Sequence, residues 1–592
     1  MKRKIIGTVI SCIMVLFLVI ASCGTEDTGG TVTQEDKGQT VTVGGEKEKT
    51  DEKEEEIPVS SDEPQYGGTL SLALAGDPLI QYDLLSLGTP APAQHSHQRV
   101  WDGDWTKGRA GGYGTGEVTW GTGSYIPDLQ TGFLAESVEW IIDDDGQNVT
   151  TYITVRPGVH WALDQTNEAS RLVGGRELTT DDIVWNLDQR MNNEKAMNWQ
   201  FFPQIRGMRA VKTGPYEIQV KHPLYEHLEG AMRLLNSVMI APEVYEQYED
   251  DSLYDWRYDV GNGPYIIVDI VAANTVTLER NPSYWMTDPI GPGRGNRLPY
   301  IDKLKYIIIQ DLSTRQAAAR TGKIDQMIGL TLEDKNLMTN QAPELMSAPG
   351  TAGLVAPMFM RTDLEPFNNK NVRRALMMAT DFNEINEGLY SGLGDIVSWP
   401  YRYTPEYADL YLGLDDPECP ESVKELYTYN PDKARQLFSS AGYPTGFKTS
   451  VVITGQDVAD YYSIIKDQWS KVGVDLEIVQ VADVGALIGT AASVSYEGLI
   501  AIFFSPPFTY PEQAQYCTGT GWLNASLISD PYIDEQAEKA KEVGITDFRA
   551  AMAITKELMK YVLDQAYCIP TPAYPNYVLW WPWLKNYSGE LS

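Results

Sequence analysis

The sequence of the first 65 residues predicts that they do not join a folded core. The chain therefore divides into this N-terminal segment and a body of residues 66–592. Residues 24–65 hold 13 acidic and 4 basic side chains, many Gly, Thr and Ser, and no aromatic residue. Such a segment cannot bury enough apolar surface to offset the entropy lost on ordering it. A flexible linker of this length has a root-mean-square reach of roughly 35 Å, and charge repulsion extends it. The fold must therefore be built from residues 66–592.

A short apolar run precedes the linker. The basic residues 2–4 come first, and the apolar run over 5–21 follows. It is too short to span a bilayer comfortably, and its order of segments is typical of an export signal over residues 1–22. The run ends at Ile20-Ala21-Ser22-Cys23, which resembles a bacterial lipobox. The resemblance implies cleavage before Cys23, a lipid such as palmitate on its sulfur, and an extracytoplasmic protein anchored to the cell membrane.

The composition of the chain is that of a large globular protein. Hydrophobic residues make up 43% and charged residues 22% of its 592 residues, so a sizeable core is available. The net charge of −34 is repelled by phosphate backbones, which disfavours nucleic-acid binding. No later stretch is long and apolar enough to cross a bilayer, so a permease is excluded.

Three cysteines remain in the body of the chain. They are Cys419, Cys517 and Cys568. An exported protein permits one disulfide and one spare thiol among them, and their spacing leaves the pairing open.

Local patterns in the first half predict a hairpin followed by a helix. Two extended runs, 137–142 and 149–155, flank Asp145-Gly146, a pair that favours a tight hairpin turn. Thr180 precedes apolar residues at helical spacing, so we expect it to cap a helix there.

Patterns in the second half alternate helix and strand. Asn430-Pro431 is typical of a helix start, and Gly442 of a helix end. A helix over 458–471 leads into a strand that begins at Val474. Val479 breaks the apolar alternation, so we expect the strand to end or bulge there. This succession predicts an α/β body with a partly parallel sheet covered by helices.

Nine short motifs follow one another along the body. They are Tyr66–Leu70, Leu134–Ser137, Arg156–Val159, Glu177–Val184, Gly261–Tyr265, Asn281–Trp285, Gly322–Asp325, Val372–Leu376 and Ala441–Pro444. Each motif alone is a weak signal, but their order and separations together are specific. In these respects the chain resembles the peptide/nickel-binding family of substrate-binding proteins of ABC importers.

The resemblance implies an α/β fold of two lobes, of the periplasmic-binding-protein type II class, with an extra inserted subdomain. Lobe I would comprise residues 66–90, 260–310 and 567–592, the inserted subdomain 91–259, and lobe II 311–566. A solute would bind between the lobes, which close on it about a hinge, and a membrane permease would recognise the closed state. Because no bond is broken in this cycle, we expect a binding protein without a cofactor rather than an enzyme. We also expect a monomer.

The ligand class stays open between an oligopeptide and an oligosaccharide-like solute. Peptide-binding members of the family commonly hold the α-amino group with an aspartate in lobe II. The corresponding stretch here, 499–511, has no carboxylate. A buried ammonium without a counter-charge is costly, and a shifted alignment would have to bring Glu512 to that role.

Aromatic side chains are concentrated around that stretch. Aromatic faces with a few hydroxyl groups suit sugar rings and neutral amphiphiles. The candidate ligand-binding residues come mostly from lobe II, with one from lobe I. They are Trp399, Tyr403, Gln456, Phe504, Ser505 and Trp522, with Tyr82 from lobe I.

Binding of nickel or a metal complex, and hydrolysis, are the alternative functions. His95-Ser96-His97 offers two imidazoles, fewer ligands than a transition-metal site needs. An extracellular hydrolase would need a nucleophile–His pair, and the chain has only 5 His. We therefore expect no resident metal and no catalytic residue.

Overall fold

The computed structural model describes residues 63–78, 91–118, 126–201, 205–224, 232–352, 355–455, 457–502, 517 and 524–590. The strands are β1 (Thr69–Leu74), β2 (Trp101–Gly103), β3 (Gln130–Gly132), β4 (Ala135–Ile142), β5 (Asn148–Val155), β6 (Arg209–Gly214), β7 (Glu217–Pro223), β8 (Tyr265–Val271), β9 (Thr275–Arg280), β10 (Lys303–Ile308), β11 (Gln326–Leu330), β12 (Met346–Ala352), β13 (Met358–Met360), β14 (Phe447–Ile453), β15 (Val474–Gln480), β16 (Leu499–Ala501), β17 (Cys568–Ile569) and β18 (Pro575–Trp580). The α-helices are α1 (Ala91–Ser96), α2 (Glu168–Val173), α3 (Thr180–Asn192), α4 (Met197–Phe201), α5 (Met232–Leu235), α6 (Pro242–Tyr248), α7 (Leu312–Arg320), α8 (Leu332–Gln341), α9 (Lys370–Met378), α10 (Phe382–Tyr390), α11 (Glu421–Lys424), α12 (Pro431–Ser440), α13 (Asp457–Ser470), α14 (Val484–Ala492), α15 (Pro531–Gly544) and α16 (Phe548–Gln565).

Two sheets form the first lobe. One has the strand order β1-β10-β9-β8, in which β1 runs parallel to β10 and the other pairs are antiparallel. The second has the order β11-β18-β12 and is antiparallel throughout. The sheets meet where the amide of Asp325 donates to the carbonyl of Ser71 at 2.8 Å. A shared apolar cluster also joins them, in which Ala73 packs with Leu330 and Leu579.

A separate antiparallel sheet, β4-β5-β7-β6, carries the predicted hairpin. Strands β4 and β5 pair around Asp145-Gly146, which confirms the hairpin, and Gly146 has a φ of +64°. Helix α3 packs on this sheet and begins one residue earlier than predicted. Thr179, not Thr180, is the N-cap, because it forms a reciprocal capping box with Asp182.

One mixed sheet, β15-β14-β16-β13-β17, forms the second lobe. β14 runs parallel to β15 and β16, whereas β13 is antiparallel to β16, which confirms a partly parallel sheet. Asn430 caps α12 with Pro431 in its first turn, as predicted. The expected break at Val479 is wrong. Val479 pairs with Val452 in regular register, because backbone hydrogen bonds to β14 carry the strand on to Gln480.

The strand pairing favours lobe boundaries that differ from those suggested by the resemblance. β11 and β12 lie in the range expected for lobe II, yet both pair with β18 in the first lobe. β17 lies in the C-terminal segment expected for lobe I, yet it pairs with β13 in the second lobe. The chain therefore changes lobe between β12 and β13 and again between β17 and β18.

The described residues contain no helix that is both long and apolar enough to cross a membrane. Cys419, Cys517 and Cys568 are all buried and all carry free thiols in this structure.

Candidate functional site

The chain passes from one lobe to the other in two short segments. We call residues 355–357 the first crossing and residues 570–574 the second crossing. They run beside each other, since the amide of Ala356 donates to Thr571 Oγ1 at 2.9 Å. That bond is buried, so the two crossings are held together at their centre. A pair of adjoining crossings between two lobes is the arrangement of a hinge.

Helix α13 holds both crossings on the side of the second lobe. The hydroxyl of Tyr461 donates to the carbonyl of Pro570 at 2.6 Å, and the hydroxyl of Tyr462 donates to the carbonyl of Ala356. Neighbouring residues in a helix point about 100° apart, which lets one turn contact two chain segments. Burial raises the pKa of both phenols well above the usual value, so they remain neutral donors.

The loop over 394–404 binds the second crossing from another side. The backbones of Asp395 and Ala573 exchange two hydrogen bonds, of 2.7 and 2.8 Å. The hydroxyl of Ser398 donates to the carbonyl of Thr571 at 2.6 Å. Trp399 and Tyr403, two of the residues predicted from the sequence, lie in this loop. The structure therefore brings them to the hinge.

Asp395 places a carboxylate at the hinge that the sequence did not point to. Its Oδ1 accepts hydrogen bonds from the Tyr411 hydroxyl at 2.6 Å and from the Val397 amide at 3.1 Å. Burial raises the pKa of Asp395, and these bonds oppose the rise. No local pattern marks this residue, because the fold supplies its distant partners.

Two further charged side chains are buried beside that carboxylate. Arg402 and Glu406 are each 3% exposed. Burial lowers the pKa of Arg402 to about 9, while the negative charges of Glu406 and Asp395 counteract that fall. Residues 395–406 therefore combine one buried cation with two carboxyl groups, and the amide of Tyr403 donates to Asp395 Oδ2 at 3.5 Å.

Trp399 and Tyr403 have opposite exposures. Trp399 is 2% exposed and packs edge-on against Phe359 with ring centroids 6.2 Å apart. Its indole N–H has no hydrogen-bond partner within the described part of the chain. Tyr403 is 57% exposed and lies edge-on to Tyr411 at 5.7 Å. Of this pair, Tyr403 alone presents a large surface to solvent.

The other predicted residues lie outside the described residues. They are Tyr82, Gln456, Phe504, Ser505 and Trp522 for ligand binding, and Cys23 for lipidation.

His95 and His97 are both engaged in packing and hydrogen bonds of the first lobe. The His95 ring stacks on Tyr306 with centroids 6.1 Å apart, and burial lowers its pKa to about 4. His97 bonds through Nε2 to Asp259 and through Nδ1 to the carbonyl of Met239, both at 2.8 Å. Across the described ranges, no three His, Cys, Asp or Glu side chains are grouped to hold a metal ion. Both imidazole rings of the His95-Ser96-His97 sequence therefore already make contacts within the protein.

A groove of about 1000 Å³ is lined by segments other than the two crossings. Its walls come from residues 63–70, 105–118, 288–301 and 583–590, together with Asp325 and with Pro349 and Gly350 of β12. Three of its carboxylates already have partners within the protein. Asp288 accepts from the hydroxyl of Tyr300 at 2.7 Å, Asp325 from the indole N–H of Trp583 at 2.8 Å, and Glu590 from the amide of Ser588 at 2.7 Å. Volume alone therefore does not make it the binding site, and the hinge remains the candidate.

Comparison of the sequence with curated proteins gives binding proteins as relatives. The chain is 25% identical over 366 residues to heme-binding protein A of Haemophilus influenzae, an alignment that covers 58% of this chain and 60% of that protein. It is 24% identical to the glutathione-binding protein GsiB of Salmonella typhi over 54% of each chain. The chain thus spans little more than half the length of these curated relatives.

Solved structures and a family model agree with this kinship. The ABC transporter-associated periplasmic binding protein DppA of Helicobacter pylori, in complex with peptide STSA, matches with a TM-score of 0.63 at 20% identity, covering 87% of this chain and 94% of that chain. This likeness confirms the two-lobe α/β fold. The family model for bacterial extracellular solute-binding proteins, family 5, middle region, matches residues 131–522, which is more than half of the chain. The chain therefore belongs to the family 5 bacterial extracellular solute-binding proteins.

Proposed function

We propose that this chain is the solute-binding component of an ABC importer. It captures a solute between its two lobes and delivers it to a membrane permease, without breaking a bond in the solute. The observation that carries the proposal is the pair of crossings joined by the bond from Ala356 to Thr571. Rotation at these two short segments opens or closes the space between the lobes. Ligand contacts to both lobes then favour the closed state.

The proposed location is the outer side of a cell membrane. Residues 1–22 act as the export signal, Cys23 carries the lipid, and the acidic segment 24–65 is the tether. The test is mass spectrometry of the N-terminal peptide after expression in a bacterium. A lipid-modified Cys23 supports the anchor, and an unmodified N-terminus at another residue contradicts it. Cys23→Ala should release the protein from the membrane fraction.

The proposed solute is an oligopeptide or an oligosaccharide-like molecule. The relative crystallised with peptide STSA favours the first class. The exposed aromatic ring of Tyr403 at the hinge suits either class, because rings stack on sugars and also pack against peptide side chains. A metal complex is a weaker candidate, since His95 and His97 are both engaged elsewhere.

Native mass spectrometry of the exported, gently purified full chain identifies the solute class. Denaturation then releases any bound molecule. A series of peptide masses supports the oligopeptide, and masses separated by one sugar unit support the oligosaccharide. Retained nickel or iron, measured by elemental analysis, would instead favour the metal-complex alternative.

Substitution of Tyr403 tests whether the exposed ring of this residue contacts the solute. Tyr403→Ala should weaken binding of the released solute by roughly fivefold, because a lost aromatic stacking contact is worth about 1 kcal/mol. Tyr532→Ala is the matched control, as Tyr532 is 44% exposed on α15 of the same lobe. Both variants are titrated by tryptophan fluorescence. Equal affinities for the two variants would remove Tyr403 from the site.

A further inference from the structure

Two of the three cysteines lie in one packed cluster. Cys517 and Cys568 are buried in the same apolar cluster, which also contains Trp399 and residues of both crossings, Val355 and Ala573. This cluster lies directly under the hinge. The sequence separation of the cysteines gave no indication that they would share a cluster.

Cys419 lies in a different environment. It belongs to the other large apolar cluster of the second lobe, together with Val423 and Leu426. The charged groups that influence its thiol are Lys424, Asp416 and Glu421, which lie within five residues of it in the sequence. Shared packing therefore favours one of the three pairings over the two that include Cys419.

The electrostatics of the thiols support the same proximity. Burial is the main cause that raises the pKa of Cys568, and the charge of Cys517 adds to it. Burial also raises the pKa of Cys517. Such thiols form little thiolate once the protein has folded, so they react slowly in the native state.

We propose that Cys517 and Cys568 form a disulfide in the exported protein and that Cys419 remains a thiol. Outside the cytoplasm, oxidising conditions allow two cysteines of one cluster to be joined as the chain folds. Each thiol loses its proton, and the new S–S bond forms by exchange with an exogenous disulfide, such as that of a thiol oxidoreductase. That reagent takes up the two electrons and the two protons and is cleaved to two thiols.

The cross-link would fasten Cys517 to the strand that leads into the second crossing. Cys568 lies in β17, and β17 is followed directly by the hinge segment 570–574. Closing a loop of about 50 residues restricts the unfolded chain, so the oxidised protein should melt at a higher temperature than the reduced one. The proposal stands whether or not the chain binds a solute.

Thiol mapping of the full-length exported protein tests the proposal. The protein is denatured with an alkylating agent and without reductant, then digested and analysed by mass spectrometry. The expected result is a linked peptide pair that contains Cys517 and Cys568, with Cys419 alkylated. Alkylation of Cys517 and Cys568 in the parent protein, or a linked pair that includes Cys419, would overturn the proposal.

Serine variants provide an independent readout. Without reductant, one thiol of residues 66–592 should react with the alkylating agent in the denatured parent. In Cys568→Ser two should react, because Cys517 then has no partner. In Cys419→Ser, the matched control, none should react. Reductant should lower the melting temperature of the parent and of Cys419→Ser but not that of Cys568→Ser. A melting temperature that responds equally in all three proteins would contradict the cross-link.

Discussion

The ring of His95 makes the stability of the first lobe depend on pH in a way that can be calculated. His95 stacks on Tyr306 and lies edge-on to Tyr265, and burial lowers its pKa from 6.5 to about 4. In the unfolded chain the ring takes up a proton below pH 6.5, whereas in the folded protein it stays neutral down to about pH 4. The unfolded state therefore binds more protons in this window, and the free energy of unfolding falls as the pH drops. Linkage gives a loss of about 2 kcal/mol between pH 7 and pH 5.

His95→Phe isolates this contribution. Phenylalanine keeps an aromatic ring between the two tyrosines and does not titrate. The free energy of unfolding of both proteins is measured by denaturant titration at pH 7 and pH 5. The difference between variant and parent should shift by about 2 kcal/mol in favour of the variant at the lower pH. The cost of fitting the larger ring is the same at both pH values, so it cancels from this shift. The titration of the carboxylates is the same in both proteins, so it cancels as well. A difference that stays constant with pH would refute the conclusion that His95 is held neutral by burial.

Two further predictions concern backbone contacts. Thr571→Val leaves the amide of Ala356 without its partner in the hinge and should lower the free energy of unfolding by about 1–3 kcal/mol. An unchanged denaturation midpoint would show that this bond adds nothing to stability. Gly446→Ala would place a Cβ 1.8 Å from the carbonyl oxygen of Gly473 at a φ of +80° and should destabilise the protein severely. Gly442→Ala, with a φ of +95° and open space around it, should cost only about 1 kcal/mol, so equal midpoints for the two variants would contradict the steric argument.

Local sequence predicted those elements whose ends are fixed by nearby residues. The hairpin at Asp145-Gly146 and the helix start at Asn430-Pro431 were both found, because turn and cap geometry depend on only a few adjacent side chains. The helix start at Thr179 was missed by one residue although its capping partner lies three positions on. The continuation of β15 past Val479 was missed for another reason. Pairing with β14, a strand more than twenty residues earlier, sets the end of that strand.

The sequence likewise predicted one part of the candidate site and missed another. The sequence identified the loop that contains Trp399 and Tyr403, because aromatic residues are concentrated there. It did not separate the buried ring from the exposed one, since exposure depends on Phe359 and Tyr411, which other parts of the fold bring to the loop. It also gave no sign of Asp395.

The sequence by itself determined the family of the protein, through an ordered set of motifs typical of a two-lobe binding protein, and it predicted an export signal and a charged linker before them. These follow from composition and from short patterns, which need no long-range contact. Only the tertiary structure decided where the chain changes lobe, which residues hold Ala356 and Thr571 at the hinge, and which cysteines share a cluster. The physical reason is that each of these depends on packing and hydrogen bonds between segments that lie far apart in the chain.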